Sequence, residues 1–126
     1  MEQMIRHPGA VVRWCEPDKN QAREIVIPEV DKIQKAAKIN AFRWIVTDSY
    51  FRHYNGSRLY LRGVNHDHGD SARGSFAHIV VADEFGTWKD PDYIVNSALR
   101  PQLLTTNGQF IFASTPPEDL GHAYYE

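Results

Sequence analysis

This sequence predicts a layered α/β domain built on a mostly parallel sheet, and three stretches carry that prediction. Ala77-His78-Ile79-Val80-Val81-Ala82 is a short, β-branched apolar run that ends on Asp83-Glu84. Gly108-Gln109-Phe110-Ile111-Phe112-Ala113 is a second such run, and it ends on Ser114-Thr115-Pro116-Pro117. Continuous apolar runs of this length, bounded by glycine and polar residues, read as strands buried on both faces of a parallel sheet. Between them, Pro91 to Leu104 reads as a helix. The order strand, helix, strand puts polar residues at the same sheet edge each time.

The 126 residues are the size of one domain, and a 42% hydrophobic content with three Trp argues for a packed core. A net charge of −2 supplies no global field for nucleic acid, so any contact with it is local or comes from elements outside this chain. Cys15 is the single cysteine; it excludes an internal disulfide and fits a reducing compartment. No apolar run reaches the ~20 residues that span a bilayer, and the N-terminus lacks the apolar segment of a secretion signal.

In chain order, a short polar start is ended by Pro8-Gly9, and Ala10 to Cys15 reads as a strand stopped by Pro17. Asp18 is suited to cap a helix from about Lys19 to Lys38. Its stripe is expected at Ile25, Val26, Ile33 and Ala37, and Pro28 predicts a kink or break near Ile27. Phe42 to His53 and Arg58 to Val64 read as two strands flanking Asn55-Gly56. Asn-Gly between such runs is a strong hairpin signal, because both residues tolerate positive φ. Strands near 77–83 and 108–114 follow, with Asp90-Pro91 as N-cap and first residue of the intervening helix. Ile94, Val95, Ala98 and Leu99 form its apolar face, and Glu118 to Glu126 reads as a last helix.

The chemistry concentrates at the two strand ends. Open α/β sheets place ligands at the carboxyl ends of their strands. Neighbouring side chains in a strand diverge, so Asp83 can hold a hydrated Mg²⁺ beside nucleotide phosphates while Glu84 orients or deprotonates a water. That is the Walker B arrangement. A solvated strand end is the bland alternative. If the two strands are neighbours, the hydroxyls of Ser114 and Thr115 form a polar lip beside the acids, stiffened by the prolines.

Two loops have double readings. Asn65-His66-Asp67-His68-Gly69-Asp70 alternates His and Asp as a Zn²⁺-type site does, but lacks an evident fourth ligand and reads as a solvated loop by default. Arg73 could stabilise charge on a transferring phosphoryl group, or make structural bonds to backbone carbonyls; both readings stay open. Phe85 and Trp88 suit the core better than a base contact.

Val80-Val81-Ala82-Asp83-Glu84, the helix ending Ala98-Leu99-Arg100-Pro101, and Phe110-Ile111-Phe112-Ala113-Ser114-Thr115-Pro116 together resemble the ATPase domain of phage terminase large subunits, over roughly residues 9 to 126. The resemblance implies a P-loop, RecA-like domain over residues 1–126, incomplete at the N-terminus and carrying an Asn-Gly hairpin. No Gly-x-x-x-x-Gly-Lys-Ser/Thr run precedes the acid pair, and the family's nuclease domain is not in the sequence. It implies Asp83 and Glu84 as Walker B, with Asp83 on Mg²⁺ through water, and Ser114-Thr115-Pro116 as the motif coupling hydrolysis to DNA movement. An Arg-Gly shortly before the Walker B strand, as at Arg73-Gly74, is also a family feature. The implied cofactors are ATP and Mg²⁺. The implied partners are double-stranded DNA, the small terminase subunit, the portal protein and further copies in a ring, in the cytoplasm of an infected or lysogenic bacterial host. Without the phosphate loop, weak or absent hydrolysis is expected of the chain alone. A non-catalytic module that binds a terminase or portal partner through an exposed sheet edge is the alternative. A helicase-like motor fits less well, because Asp83-Glu84-Phe85-Gly86 departs from Asp-Glu-x-His.

Overall fold

The computed structural model describes residues 2–74 and 76–113. Among the described residues six strands form a single sheet: β1 Val11–Glu16, β2 Phe42–Ile45, β3 Tyr50–His53, β4 Arg58–Gly63, β5 Ile79–Asp83 and β6 Gln109–Ala113. Their order is β2-β3-β4-β1-β5-β6. β1 runs parallel to both β4 and β5, and β5 parallel to β6, while β2-β3 and β3-β4 are antiparallel. The sheet is mostly parallel, as the continuous apolar runs predict. Its antiparallel part is larger than one hairpin.

The reason lies in Phe42 to His53, which is two strands rather than one. The chain folds back through a 3₁₀ turn at Val46–Asp48, closed by Ser49 in the left-handed region with φ 50°. Arg43 then pairs with Arg52, and Trp44 with Phe51. Two β-branched aromatic runs joined without a glycine hide such a turn from the sequence. The Asn55-Gly56 hairpin does join β3 to β4, but only Gly56 has positive φ, at 91°. His53 N–H donates to Ser57 O and Gly56 N–H to His53 O, the pattern of a longer loop with a left-handed glycine.

α2 spans Lys19–Ala37 without interruption; Asp18 caps it by accepting from Asn20 N–H at 2.6 Å. The break expected at Pro28 does not occur. Pro28 is exposed, so water solvates the carbonyl left without a donor, and the helix absorbs the loss. The buried stripe is Ala22, Val26, Val30 and Gln34, a strict i, i+4 row, so of the expected positions only Val26 belongs to it. Ile25 and Ile33 instead border a shallow apolar groove with Trp14, Val81 and Ile111. Met4 of the short helix α1 (Glu2–Arg6), Val12, Phe42, Phe51, Leu59 and Leu61 pack with α2 on one sheet face.

The other face is covered at β1, β5 and β6 by the span from Pro91 to Leu103. It opens as an α-turn (α3, Pro91–Tyr93), widens to a π-helix at Ile94–Leu99 and tightens to 3₁₀ at Arg100–Leu103. Pro101 explains the change of winding, because it lacks the N–H that an α-helix would aim at Ser97 O. Ile94, Val95, Ala98 and Leu99 are all buried, as their spacing predicts. Asp90 is the N-cap and Pro91 follows it, as expected, but Asp90 stands in the left-handed region, makes no side-chain capping bond, and turns its carboxylate to His68 Nδ1 at 3.4 Å. Cys15 is fully buried and its thiol is pushed up to about 12 by burial, so it is an inert core residue. The helix expected at 118–126 lies outside the described residues.

Candidate active site

β5 delivers Asp83 to the carboxyl edge of the sheet, and the strand stops there because Glu84 turns into the left-handed region, with φ 52° and ψ 37°. A non-glycine residue is held in that conformation only where its surroundings dictate it. Here they do. Thr87 donates to Glu84 O with both its N–H (3.0 Å) and its hydroxyl (2.8 Å), and Trp88 Nε1 donates to Asp83 O at 3.0 Å. Phe85 and Trp88 are buried edge-to-face at 5.2 Å, so both aromatics are core, anchoring the turn. Asn65 holds the turn's far end, accepting from Lys89 N–H at 2.8 Å and donating to Thr87 O at 3.4 Å. Glu84 thus stands in the turn and not on the strand, so strand alternation does not set its place relative to Asp83.

Glu16, at the end of β1, is a third carboxyl that the sequence reading missed. The β1-β5 register pairs Cys15 with Ala82, so Glu16 stands one step further on, beside Asp83. Its side chain is fully buried, and Trp14 Nε1 donates to Oε2 at 2.8 Å. Burial, and then the neighbouring Asp83 carboxyl, push its pKa up to about 8, so Glu16 holds its proton at neutral pH. The available signal was an acid closing an apolar run, the same signal that marked Asp83.

β5 and β6 are parallel neighbours with Asp83 opposite Ala113. Ser114 and Thr115, which follow Ala113 directly, lie outside the described residues. Arg73 is exposed and its guanidinium is engaged: Nε donates to Asp70 Oδ1 at 3.1 Å, Nη1 to Ser97 O at 2.6 Å and Nη2 to the Tyr93 hydroxyl at 3.3 Å. These bonds fit the structural reading, and they leave Arg73 at the protein surface, where a neighbouring molecule can reach it. The His-rich loop disperses its groups. Asp67 Oδ2 accepts from Ser71 N–H, His68 meets Asp90, Asp70 meets Arg73, and His66 is exposed. Among the described residues no three His, Cys, Asp or Glu are grouped as direct metal ligands. An open cleft of about 930 Å³ lies beside the acids, not on them; Asp18, Lys19, Thr47, Arg62, Gly63 and Lys89 line it.

The family model described as "Terminase large subunit, T4likevirus-type, N-terminal" matches residues 3–126. None of the curated proteins matches the chain. Among solved structures, the large terminase ATPase domain of Thermus phage P74-26 is similar with a TM-score of 0.75 at 18% identity, over 98% of this chain and 54% of that one. A mutant form of the same phage domain matches with a TM-score of 0.68 at 18% identity, over 90% of this chain and 51% of the other. At that identity the likeness shows the fold. The chain spans about half the length of these solved domains.

Proposed function

This chain belongs to the N-terminal family of T4-like-virus-type terminase large subunits, and from that membership we propose that it forms the Walker B half of an ATP site in a DNA-packaging motor. One observation carries the reading: β5 and β6 are adjacent and parallel, so Asp83 and Ala113, the residues before Glu84 and Ser114, stand opposite one another at the same end of the sheet. Asp83 then holds Mg²⁺ through water, and Glu84 acts as the base or orients the attacking water. Ser114 and Thr115 would sense the γ-phosphate of a bound nucleotide. Arg73 steadies charge on the transferring phosphoryl group in its own subunit or in a neighbour's.

The donor set suits Mg²⁺, an ion that keeps several waters and takes one or two carboxylates besides nucleotide phosphates. Asp83 sits at the strand end beside the buried carboxyl of Glu16. When bound, the ion neutralises charge on the phosphates. Glu16, protonated, keeps Asp83 from facing a second full negative charge, and the Thr87 and Trp88 bonds hold the two acid-bearing backbones still. Double-stranded DNA, the small terminase subunit, the portal and further copies of the chain are the proposed partners of the whole motor.

Calorimetry with ATP and Mg²⁺ tests this. Weak, Mg²⁺-dependent binding that disappears in Asp83→Asn is expected, with little phosphate release by the chain alone. Binding indifferent both to Mg²⁺ and to Asp83→Asn overturns the assignment of Asp83. Rapid turnover insensitive to Glu84→Gln overturns that of Glu84. A second reading, a module that docks on a partner by strand addition, is favoured by β6: among the described residues it pairs only with β5, and Ile111 and Phe112 are exposed.

A further inference from the structure

The antiparallel part of the sheet aligns its arginines. Arg43 stands directly opposite Arg52, and Arg52 directly opposite Arg58, giving a row of three like charges across β2, β3 and β4. All three are exposed. They lie on the face away from α2, since Phe42, Phe51 and Leu59, each one residue away, are buried beneath that helix. Like charges directly opposite in a sheet oppose its stability, and among the described residues no carboxylate forms an ion pair with this row, Asp48 acting on Arg58 only at longer range. Neither the Arg43 nor the Arg52 side chain has a hydrogen bond or ion pair among the described residues. Arg58 spends one donor on the Tyr60 hydroxyl at 3.2 Å and lies 5.8 Å from the centre of the Tyr50 ring.

The next row along the strands is Tyr50 opposite Tyr60, with ring centres 5.0 Å apart. Arg62 and the buried Arg13 sit over the Tyr60 ring at 4.8 and 4.6 Å, and Arg62 also pairs with Asp48. The chain carries a net charge of −2, so this concentration of guanidinium groups on one flat surface runs against its overall balance. Interstrand spacing puts the ends of the arginine row about 10 Å apart, close to the ~12 Å width of the major groove of B-form DNA.

From this we infer that the arginine row of β2, β3 and β4 is a docking surface for the phosphate backbone of duplex DNA. The inference deepens the DNA-packaging reading, on which it rests, by giving DNA a place on this chain away from the acid pair. Guanidinium forks pair with phosphate oxygens bidentately, and a bound backbone supplies the counter-charge that the row lacks. The contacts are to phosphate, so binding is indifferent to sequence.

Fluorescence anisotropy of a labelled duplex with the full chain, titrated across salt concentration, tests it. The log–log salt slope should fall in magnitude by about 0.9 for each Arg→Gln change. The combined Arg43→Gln, Arg52→Gln, Arg58→Gln variant should weaken binding at low salt roughly tenfold or more, with an unchanged or raised thermal midpoint. The same number of charges removed from the outer face of α2, by Lys32→Gln and Lys35→Gln with Lys38→Gln at its end, should leave affinity within about twofold. Equal loss from the two sets, no duplex binding by the wild type at low salt, or tighter binding of a single strand through the same arginines each overturns the inference. Nucleotide calorimetry on the triple variant separates the two readings. Unchanged Mg²⁺-ATP binding with lost DNA binding supports both, whereas DNA binding through this row with no nucleotide binding by any variant sinks the ATP site and leaves the DNA surface standing.

Discussion

The Ser97 carbonyl accepts a hydrogen bond from Arg73 Nη1 at 2.6 Å, and Ser97 is the residue whose α-helical donor Pro101 removes. A proline in the helix thus gives a loop arginine its anchor. The expected consequence is geometric. Arg73→Lys keeps the charge but loses the planar fork that serves Asp70, Ser97 and Tyr93 together. The urea midpoint should fall for Lys and for Ala alike, because one ammonium cannot replace three divergent bonds. A Lys variant as stable as wild type would show that charge alone matters there.

Glu16 gives stability a pH dependence. Its folded-state pKa, about 8, lies above the ordinary 4.5, so the native chain holds a proton that the unfolded chain has released. Between these values the native state binds more protons, and stability therefore falls as pH rises from about 4.5 to about 8. Glu16→Gln, which is neutral throughout, should flatten this part of the curve. Urea midpoints measured across that range check it, and an identical slope in the variant would place the titration elsewhere.

Pro28 sits in the interior of an unbroken helix on its exposed side. Pro28→Ala restores a hydrogen bond and removes a steric conflict, partly offset by the freer unfolded chain. A gain of about 1–3 kcal/mol is expected, read from urea denaturation. A loss would mean that the proline ring makes a contact that outweighs the missing bond.

Gly63 ends β4 where α2 begins. A Cβ there would lie 2.5 Å from Lys19 N and 3.1 Å from the carbonyl carbon of Asp18, both backbone atoms. Neither can swing aside without moving the start of α2. Gly63→Ala should cost about 1–3 kcal/mol, as overpacking does, and should loosen the Asp18 cap. Faster amide exchange at Asn20 together with a lower thermal midpoint would report it, and an unchanged chain would show that the helix start is adjustable.

The residues that announced the strands were those whose local chemistry leaves little choice. Val80, Val81 and Ala82 are buried on a parallel strand and so must be apolar without alternation. Asp83 and Glu84 were legible for the complementary reason, since charge at the end of such a run has to sit at the sheet's edge. Asp18 and the Asn55-Gly56 turn were legible because capping and left-handed backbone restrict residue type. The turn at Val46–Ser49 was not, because Ser49 adopts positive φ under tertiary constraint that no residue preference advertises. Pro28 does not break the helix for a similar reason: its local cost is real, but the packing of Val26 and Val30 against the sheet holds the helix through it.

By itself the sequence determined where β1, β4, β5, β6 and the long helix α2 fall, where the acid pair falls, and the resemblance that the family match bears out, because each of these rests on near-neighbour chemistry. Only the tertiary structure decided that Glu16 stands beside Asp83 and that Arg43, Arg52 and Arg58 form one row. Both depend on the register between strands far apart in sequence, and register is set by how whole faces bury rather than by any local motif.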